Sequence, residues 1–505
     1  MVGDPMTDEL LDVAVVGAGV GGLAAAAMLK KLGDQRFEVF EKGPAVGGTW
    51  RENTYPGCAC DVPSHLYSLS FAQNPQWSRS YPAQPEIESY LERTTDSLGI
   101  RGSIRFETAL DSIRWNASGA HWDLDFTDGT TRSARSVIMA TGPLSRPSMP
   151  AIDGLESFAG TMFHSARWNH AHDLSGERVA VIGTGASAIQ FVPEIAPDVS
   201  QLTVFQRSAP WVLPRDDRPA PQWRRTLYSR LPGLQRLHRW RVYARQEMLS
   251  AAFLGRGRTA QRLSQRIKDG VREHIAASIP DPVEQARLIP TYEPGCKRLL
   301  IANAWYPTLA RSNVDVCTEP IRSITANGVV TDDGVEHEVD TIILGTGFSA
   351  SDFPGPIRIV GSGGVDLADR WRNGAETHLG IVVDGFPNLY FLAGPNTGLG
   401  HNSIIFMIEA QVHFVRGALL DLRRRGARAT AVRSGTVVRS YAAVQRRLAH
   451  TVWTTGCSSW YRSAGGQVDT LWPGTTVEYW LRTRRFRPAS FEAVGPDSDV
   501  GAQAR

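Results

Sequence analysis

The sequence predicts an α/β fold with two Rossmann-like dinucleotide-binding domains, the second inserted into a discontinuous first domain, together with a helical subdomain. Residues 12–22 and 178–188 predict the paired domains, because each segment runs from a short apolar strand into a glycine-rich turn. A later apolar strand at 388–394 predicts the insertion, since it follows the second unit and returns the chain to the first domain.

The composition is that of an ordinary globular protein. At about 150 residues per domain, a chain of 505 residues is expected to form three domains, or two of which one is interrupted. Lys and Arg total 54 against 51 Asp and Glu, which argues against a general attraction to nucleic acid or to anionic membranes. No stretch approaches the roughly 20 apolar residues that a membrane-spanning helix needs.

The first unit is complete. Residues 12–16 form the first predicted strand, the turn runs from Gly17 to Gly22, residues 23–32 form a helix rich in Ala and Leu, and 37–41 form a second strand. A glycine fingerprint is weak evidence when it stands alone, but a strand before it and a helix after it make it specific.

Three glycines of this turn have separate roles. Gly17 makes the turn, Gly19 lets the backbone approach a pyrophosphate, and Gly22 allows close packing of helix and strand. Glu41 lies 24 residues beyond Gly17, where a carboxylate is suited to ribose hydroxyls.

The second unit repeats the pattern with a different ending. Strands are predicted at 178–182 and 201–206, joined by a turn that contains Gly183, Gly185 and Ser187. Arg207 lies 24 residues after Gly183, in the place that Glu41 holds in the first unit, and Ser208 follows it.

A guanidinium suits a 2′-phosphate, whereas a carboxylate suits free hydroxyls. The sequence therefore predicts FAD in the first unit and NADPH in the second. A solvated surface role for Arg207 is the alternative.

Two further strands end in Thr-Gly, at 137–142 and 340–347, and are predicted to lie where the chain passes between domains. A helix is predicted over 403–422. The predicted limits are 1–150 and 378–505 for the two parts of the FAD domain with its tail, 151–213 and 291–377 for the NADP domain, and 214–290 for the helical subdomain.

The helical subdomain is strongly basic. Residues 215–272 hold 15 Lys and Arg against 4 Asp and Glu, with Leu227, Leu231, Leu234 and Leu237 at near-helical spacing. This pattern predicts an amphipathic helix with a solvated basic outer face. Binding to a membrane surface or to nucleic acid is the less favoured interpretation.

Five cysteines, an odd number, suggest reduced thiols and a cytoplasmic location. Cys58 and Cys60 lack the spacing of a redox pair and are predicted to be small buried side chains. Residues 1–10 lack the features of a signal peptide, and 496–505 are predicted to be a flexible tail.

Residues 158–168 carry the pattern FxGxxxHxxxW between the two units. With both fingerprints, this motif makes the chain resemble the class B flavoprotein monooxygenases, and within them the type I Baeyer–Villiger monooxygenases, over about residues 11–490. Asn169 stands where the family usually has Pro or Asp. Trp168 favours this group, because the nitrogen- and sulfur-oxidising relatives usually carry Tyr or Phe there.

A second family signature is met by residues 47–61, in which Gly-Gly-x-Trp precedes aromatic-Pro-Gly-x-x-x-Asp. The resemblance implies that Gly48, Trp50 and Asp61 contact the cofactor. Residues 295–298, Gly-Cys-Lys-Arg, resemble a family loop, which implies that Arg298 lies over the flavin and that Lys297 approaches the NADP phosphate.

The resemblance implies that NADPH reduces FAD, that reduced flavin reacts with oxygen, and that the resulting C4a-peroxyflavin attacks a ketone or aldehyde to give an ester or lactone. Arg298 is then expected to stabilise anionic oxygen, since a guanidinium does so without surrendering a proton. Asp61 is expected to orient Arg298. The alternatives are a structural ion pair for Arg298 and a helix cap or turn residue for Asp61.

Two other functions stay open. One is a flavin monooxygenase of nitrogen- or sulfur-containing substrates, and the other is a carrier or regulator that binds FAD and NADP without turnover. No metal site is predicted, because His170 and His172 lack further ligands.

His164 is expected either to couple domain movement or to be a hydrogen-bonded core residue. Trp305, Tyr306 and the segment 399–402 either line the carbonyl pocket or pack. The oligomeric state and the substrate's identity are not predicted.

Overall fold

The computed structural model describes residues 9–494, except 256, 354, 455, 457, 458, 463 and 464. The expectations for the extreme N-terminus, for Cys457 and for the C-terminal tail therefore fall on residues outside this description.

The strands of the described chain, in order, are β1 (Leu11–Val16), β2 (Phe37–Phe40), β3 (Ile104–Arg105), β4 (Leu110–Asn116), β5 (His121–Phe126), β6 (Thr131–Met139), β7 (Thr161–His164), β8 (Arg178–Ile182), β9 (Gln201–Phe205), β10 (Val212–Leu213), β11 (Leu300–Ile301), β12 (Val314–Cys317), β13 (Ile321–Ile324), β14 (Gly328–Thr331), β15 (Glu336–Glu338), β16 (Thr341–Leu344), β17 (Arg358–Val360), β18 (Leu389–Phe391), β19 (Thr430–Val432) and β20 (Phe491–Ala493).

The α-helices are α1 (Val20–Leu32), α2 (Thr49–Glu52), α3 (Gln84–Ser97), α4 (Ala188–Ile195), α5 (Gln222–Arg230), α6 (Pro232–Met248), α7 (Ser250–Leu254), α8 (Arg258–Ala276), α9 (Pro282–Leu288), α10 (Trp305–Leu309), α11 (Leu367–Arg370), α12 (Ile404–Arg424), α13 (Ser434–Leu448) and α14 (Thr476–Thr483).

The first sheet has eight strands in the order β17-β4-β5-β6-β1-β2-β3, with β18 also paired to β6. Its centre is parallel, because β1 pairs in parallel with both β2 and β6. Val15 aligns with Val39 on one side and with Ile138 on the other, and all three are fully buried. Burial on both faces explains why these strands are continuous apolar runs.

The second sheet has five parallel strands in the order β12-β9-β8-β16-β7. Val181 of β8 lies between Val204 of β9 and Ile343 of β16, and none of the three side chains is exposed. Both sheets thus place the carboxyl ends of central strands, and the glycine turns that follow them, at one edge.

The pairing of β18 confirms the inserted topology. Leu389 and Tyr390 of β18 align with Val137 and Ile138 of β6, so the chain returns to the first sheet after completing the second. β17 already pairs with β4 of the first sheet. The return therefore begins upstream of 378, the limit that the sequence pattern suggested, and the other domain limits stay predictions.

The predicted elements of the first unit are confirmed with small shifts at their ends. Helix α1 begins at Val20, three residues earlier than the apolar pattern suggested, because the turn glycines enter the first helical turn. Helix α12 begins after Ser403, whose hydroxyl accepts a hydrogen bond from the backbone N–H of Ile405 (3.3 Å). A serine at this position satisfies an amide that the helix leaves unpaired.

The leucine pattern of the helical subdomain requires a correction. An amphipathic helix with a basic outer face would turn its four leucines inward, but Leu231, Leu234 and Leu237 are exposed. Leu227 is partly buried and lies on α5, not on α6. Polar Gln235 and the stem of Arg239 face inward instead, since Gln235 donates to the carbonyl of Asn74 and Arg239 to the carbonyls of His65 and Ser68.

The cysteine prediction is partly wrong. Cys296 is disulfide-bonded, so the expectation of reduced thiols fails at this position. Cys58, Cys60 and Cys317 are free. Cys58 and Cys60 are buried as expected, and burial raises the pKa of Cys58 to about 12, which keeps it an unreactive thiol. Within the described ranges, no helix is long and apolar enough to traverse a bilayer.

Candidate active site between the two dinucleotide units

Steric crowding requires glycine at two positions in the turn of the first unit. Gly17 has φ +100°, and a Cβ there would lie 2.7 Å from the carbonyl oxygen of Ala140. At Gly22 a Cβ would come within 1.8 Å of the Gly17 carbonyl oxygen. Only glycine satisfies both positions, and the resulting tight turn leaves the amides at the start of α1 directed at whatever lies in front of it.

Glu41 lies at the end of β2, beside this turn. Its carboxylate is buried and accepts hydrogen bonds from the backbone N–H groups of Ala18 (2.7 Å) and Gly43 (2.9 Å) and from the guanidinium of Arg51 (2.9 Å). These donors hold the carboxylate at the edge of the turn, where the sequence predicts the ribose contact.

The segment that carries Gly48 and Trp50 covers the same turn. A Cβ at Gly48 would lie 3.0 Å from the Cα of Gly19, so the two backbones are in direct contact. The Trp50 indole is buried and donates to the hydroxyl of Tyr67 (2.8 Å). Two side-chain-free backbones facing each other at a helix N-terminus form a cradle that fits a dinucleotide such as FAD.

The second unit has the same closed turn. Gly183 has φ +110°, and a Cβ there would lie 2.6 Å from the carbonyl oxygen of Gly345. A Cβ at Gly185 would meet nothing closer than 3.9 Å, so this position faces open space. Ser187 precedes α4 and makes no capping bond with its side chain. The residues present fit a second dinucleotide.

A cationic cluster lies at the end of β9. Lys297 donates from Nζ to the hydroxyl of Ser208 (2.5 Å) and lies 4.9 Å from the centre of the Tyr292 ring. Burial lowers the pKa of Lys297 below its usual value, and the charge of Arg207 lowers it further. Among the described residues neither Lys297 nor Arg207 is in a salt bridge. Two neighbouring cations and a hydroxyl without a counter-charge suit a phosphate group.

Arg298 and Asp61 form a two-pronged ion pair. The guanidinium donates from Nε to Oδ2 (2.6 Å) and from Nη2 to Oδ1 (2.7 Å). Asp61 belongs to the segment between the first unit and α3, and Arg298 to the segment before β11, which pairs with β10. The pair therefore joins segments separated by 237 positions in the chain.

The electrostatics of this pair keep both groups charged. Burial alone would raise the pKa of Asp61, but the charge of Arg298 and the hydrogen bonds that it donates outweigh burial and hold the pKa below its usual value. The Asp61 charge raises the pKa of Arg298 against the opposing effect of burial. A fixed cation with further N–H groups to donate results.

Tyr461 lies beside this pair, and no sequence motif predicted it. Its side chain is buried, and burial raises its pKa to about 12 even though the charge of Arg298 works in the opposite direction. The phenol thus stays a neutral O–H donor. No local motif surrounds Tyr461, so only the tertiary structure reveals its position.

Gln190 of α4 was also missed. Its side-chain oxygen accepts from the Tyr55 hydroxyl (3.1 Å) and the Ala59 amide (3.2 Å), and its nitrogen donates to the Ala59 carbonyl (3.0 Å). A Cβ at Gly57 would lie 2.7 Å from the Gln190 carbonyl oxygen. The aromatic-Pro-Gly part of the signature segment 47–61 therefore contacts the second unit up to Ala59, two residues before Asp61.

The linker motif packs on the same helix. The Trp168 ring contacts the rings of Phe163 (5.1 Å between centres) and Phe191 (5.3 Å), and Phe191 also contacts Tyr55 (6.0 Å). His164 is buried, its Nδ1 accepts from the amide of Ala166 (3.0 Å), and burial lowers its pKa.

The residues predicted either to line the carbonyl pocket or to pack lie in two different environments. Trp305 and Tyr306 are buried, and Tyr306 packs edge-on against His274 (4.9 Å), which favours the packing alternative. His401 and Asn402 lie next to Glu247 of α6 instead.

His170 and His172 are not brought together as ligands. His170 contacts Thr54, whereas His172 contacts Glu177 and Thr341. No cluster of potential metal ligands occurs in the described part of the chain.

Known proteins provide a comparison for this arrangement. Residues 14–245 match the family model described as pyridine nucleotide-disulphide oxidoreductase. A protein of Streptomyces coelicolor named Baeyer-Villiger monooxygenase is 44% identical over 499 residues, which cover 98% of this chain and 95% of the relative. The chain belongs to the Baeyer–Villiger monooxygenase family.

Other members agree. A Baeyer-Villiger monooxygenase of Pseudomonas aeruginosa is 44% identical over 95% of this chain and 90% of its own length. A closed crystal structure of cyclohexanone monooxygenase superposes with a TM-score of 0.85 at 28% identity, covering 96% of this chain and 99% of that one. An oxidised steroid monooxygenase bound to NADP gives a TM-score of 0.83 at 30% identity, covering 96% and 100%.

This member of the family is an FAD-dependent monooxygenase that uses NADPH, as the sequence predicted. A structure of OTEMO in complex with FAD and NADP superposes with a TM-score of 0.84 over 95% of this chain and 99% of that one, at 26% identity. The relatives imply a small-molecule substrate and dioxygen.

Proposed function

We propose that the enzyme converts a ketone or aldehyde into an ester or lactone with NADPH and O₂. The observation that carries this proposal is the ion pair of Arg298 and Asp61, with both hydrogen bonds at 2.7 Å or shorter. A carbonyl under attack by an oxygen nucleophile develops negative charge, and a cation fixed in advance stabilises that charge without reorganisation.

The first unit holds FAD in this proposal, through Gly17, Gly19, Gly22, Glu41, Gly48, Trp50 and Asp61. The second holds NADPH, through Gly183, Gly185, Ser187, Arg207, Ser208 and Lys297. FAD supplies the redox chemistry and the activation of dioxygen. The chain's own residues bind the cofactors, orient the reacting groups and exclude water from them.

Arg298 is the catalytic cation. Asp61 takes two of its five N–H groups, and the others remain to bind oxygen-centred negative charge. Because a guanidinium does not deprotonate at working pH, Arg298 stabilises the anion without quenching it as a nucleophile. A nucleophilic, unprotonated oxygen attacks a carbonyl, whereas a protonated hydroperoxide oxidises soft nitrogen or sulfur atoms.

Asp61 is the positioning residue. A lone arginine samples many rotamers, and the two-pronged carboxylate contact fixes the plane of its guanidinium. Lys297, Arg207 and Ser208 select NADPH over NADH, because their charges and hydroxyl are matched by the additional phosphate.

Product analysis tests this proposal. Purified holoenzyme is supplied with NADPH, O₂ and a panel of cyclic ketones, aldehydes and thioethers, and the products are identified by mass spectrometry. Esters or lactones are expected. Sulfoxides without any ester or lactone would instead support the heteroatom-oxidising alternative, and NADPH consumption that no substrate changes would count against both.

A further inference from the structure

The outer face of α6 is apolar where a solvated helix is normally polar. Leu237, Trp240 and Met248 are 51%, 62% and 69% exposed, and Leu234 is exposed on the same side. Leu234, Leu237 and Trp240 recur at intervals of three residues, so they form one row along the helix. Polar Gln235 is buried on the opposite side. The exposed side of α6 therefore carries an apolar row in addition to its arginines.

A second apolar row lies on α14. Val477, Trp480 and Leu481 are exposed at spacings of three and four residues. We call the two rows together the apolar ridge: Leu234, Leu237, Trp240, Met248, Val477, Trp480 and Leu481.

The C-terminal end of α6 meets the N-terminal end of α14. The hydroxyls of Tyr243 on α6 and Thr476 on α14 share a hydrogen bond (2.6 Å). Glu247 of α6 accepts from the Thr476 amide (2.7 Å), and the Val477 amide lies 3.5 Å from the same carboxylate. Trp240 packs edge-on against Tyr243 (5.4 Å). These contacts join the two rows at that end of the ridge.

Arginines without partners flank the ridge. Arg230, Arg236, Arg241 and Arg245 are exposed, and none is in a salt bridge among the described residues. Helices α5 and α6, residues 222–248, hold seven arginines and a single acidic residue, Glu247. The unpaired charges next to the ridge point to an anionic partner.

We propose that the apolar ridge and its flanking arginines dock the enzyme on the surface of a bilayer that contains anionic phospholipids. Such a surface accepts alkyl and indole side chains below the headgroups and guanidinium groups at the phosphates. A dimer formed through this face would bring the arginines of one copy against those of the other, and their like charges would repel. Nucleic acid would take the arginines but leave Leu237 and Met248 uncovered. The inference does not depend on the proposed reaction.

Vesicle sedimentation tests the proposal. Holoenzyme is mixed with vesicles of phosphatidylcholine alone or of phosphatidylcholine with phosphatidylglycerol. Binding is expected only to the mixed vesicles and should weaken as salt is raised. Arg236→Gln and Arg241→Gln should each weaken binding about fivefold, since one cation near such a surface contributes about 1 kcal/mol.

Leu237→Asp should weaken binding about tenfold or more, because it removes an inserted alkyl group and adds a repelled charge. Val335→Asp and Arg322→Gln are the matched controls, since both positions are exposed in the β13–β15 region, away from the ridge. Bound flavin absorbance and turnover of a water-soluble substrate should be the same in all variants.

Equal binding to both vesicle types, no binding to either, or equal losses in the control variants would overturn the proposal. So would a wild-type dimer in solution that Leu237→Asp converts to a monomer, because a second copy would then cover the ridge.

Discussion

Arg298 and Asp61 face each other through two parallel hydrogen bonds of 2.6 and 2.7 Å, although they are far apart in the chain. That carboxylate fixes the plane of the guanidinium, and Gln190 of α4 holds the backbone at Ala59, two residues before Asp61. The candidate catalytic cation is thus linked to the second unit through the signature segment of the first.

Replacing Arg298 should separate reduction from oxygenation. Arg298→Ala is expected to retain flavin reduction by NADPH but to form no ester or lactone, because the developing oxyanion loses its counter-charge. Stopped-flow absorbance and product analysis measure the two steps. Since Arg298→Ala leaves Asp61 unpaired, Arg298→Lys serves as a second variant that keeps the charge and loses the fork. Wild-type product yields from both variants would remove Arg298 from the mechanism.

Arg207 should determine cofactor preference. Arg207→Ala is expected to weaken NADPH binding by about 1.5 to 3 kcal/mol, the contribution of one charge-assisted contact, and to leave NADH nearly unaffected. Steady-state KM values for both cofactors measure the difference, with Arg322→Ala as an exposed control. An equal loss for both cofactors would place Arg207 outside the phosphate site.

Gln190→Ala should weaken the positioning of Asp61 without touching Asp61 itself. It removes three hydrogen bonds to Tyr55 and Ala59, so Asp61, two residues later, is held less firmly. We expect more NADPH to be consumed per product formed and stability to fall by about 1 to 3 kcal/mol. Gln201→Ala, which breaks an exposed bond to Asp315, is the control. Unchanged coupling would show that the clamp is only structural.

Glu247 should make stability depend on pH. Burial alone would raise the pKa of Glu247, but the contact with His401 and the hydrogen bonds from Thr476 and Asn402 lower it to about 2, from an ordinary 4.5. A carboxyl group whose pKa is lower in the folded state than in the unfolded state stabilises the fold at pH values above the unfolded-state pKa. This stabilisation is lost as the pH falls towards the folded-state pKa. The difference corresponds to about 3 kcal/mol.

Urea unfolding of wild type and Glu247→Gln at pH 7 and pH 4 measures this contribution. The difference in unfolding free energy between wild type and Glu247→Gln should be smaller at pH 4 than at pH 7, because the ionised Glu247 carboxylate stabilises the wild type less at pH 4. Glu284→Gln, in an exposed pair with Arg287, should show almost no gap at either pH. A gap that widens on acidification would contradict the assigned pKa shift.

The two dinucleotide units could be predicted from the amino-acid sequence, because their turns depend on local backbone geometry. Gly17 and Gly183 occupy positive φ against a neighbouring strand's carbonyl, and no other residue type meets that requirement at the end of a buried parallel strand. Residue spacing likewise predicted the contrast between Glu41 and Arg207. An apolar run predicted the return of the chain through β18.

Contacts between residues that are distant in the chain could not be predicted in this way. Gln190, Tyr461 and Glu247 lie outside any local motif, and their roles arise from packing between elements far apart in the chain. The leucines of α6 show the same limit: helical periodicity tells which residues share a face, but not whether that face points to the core or to the surroundings. That choice depends on what the rest of the chain packs against the helix.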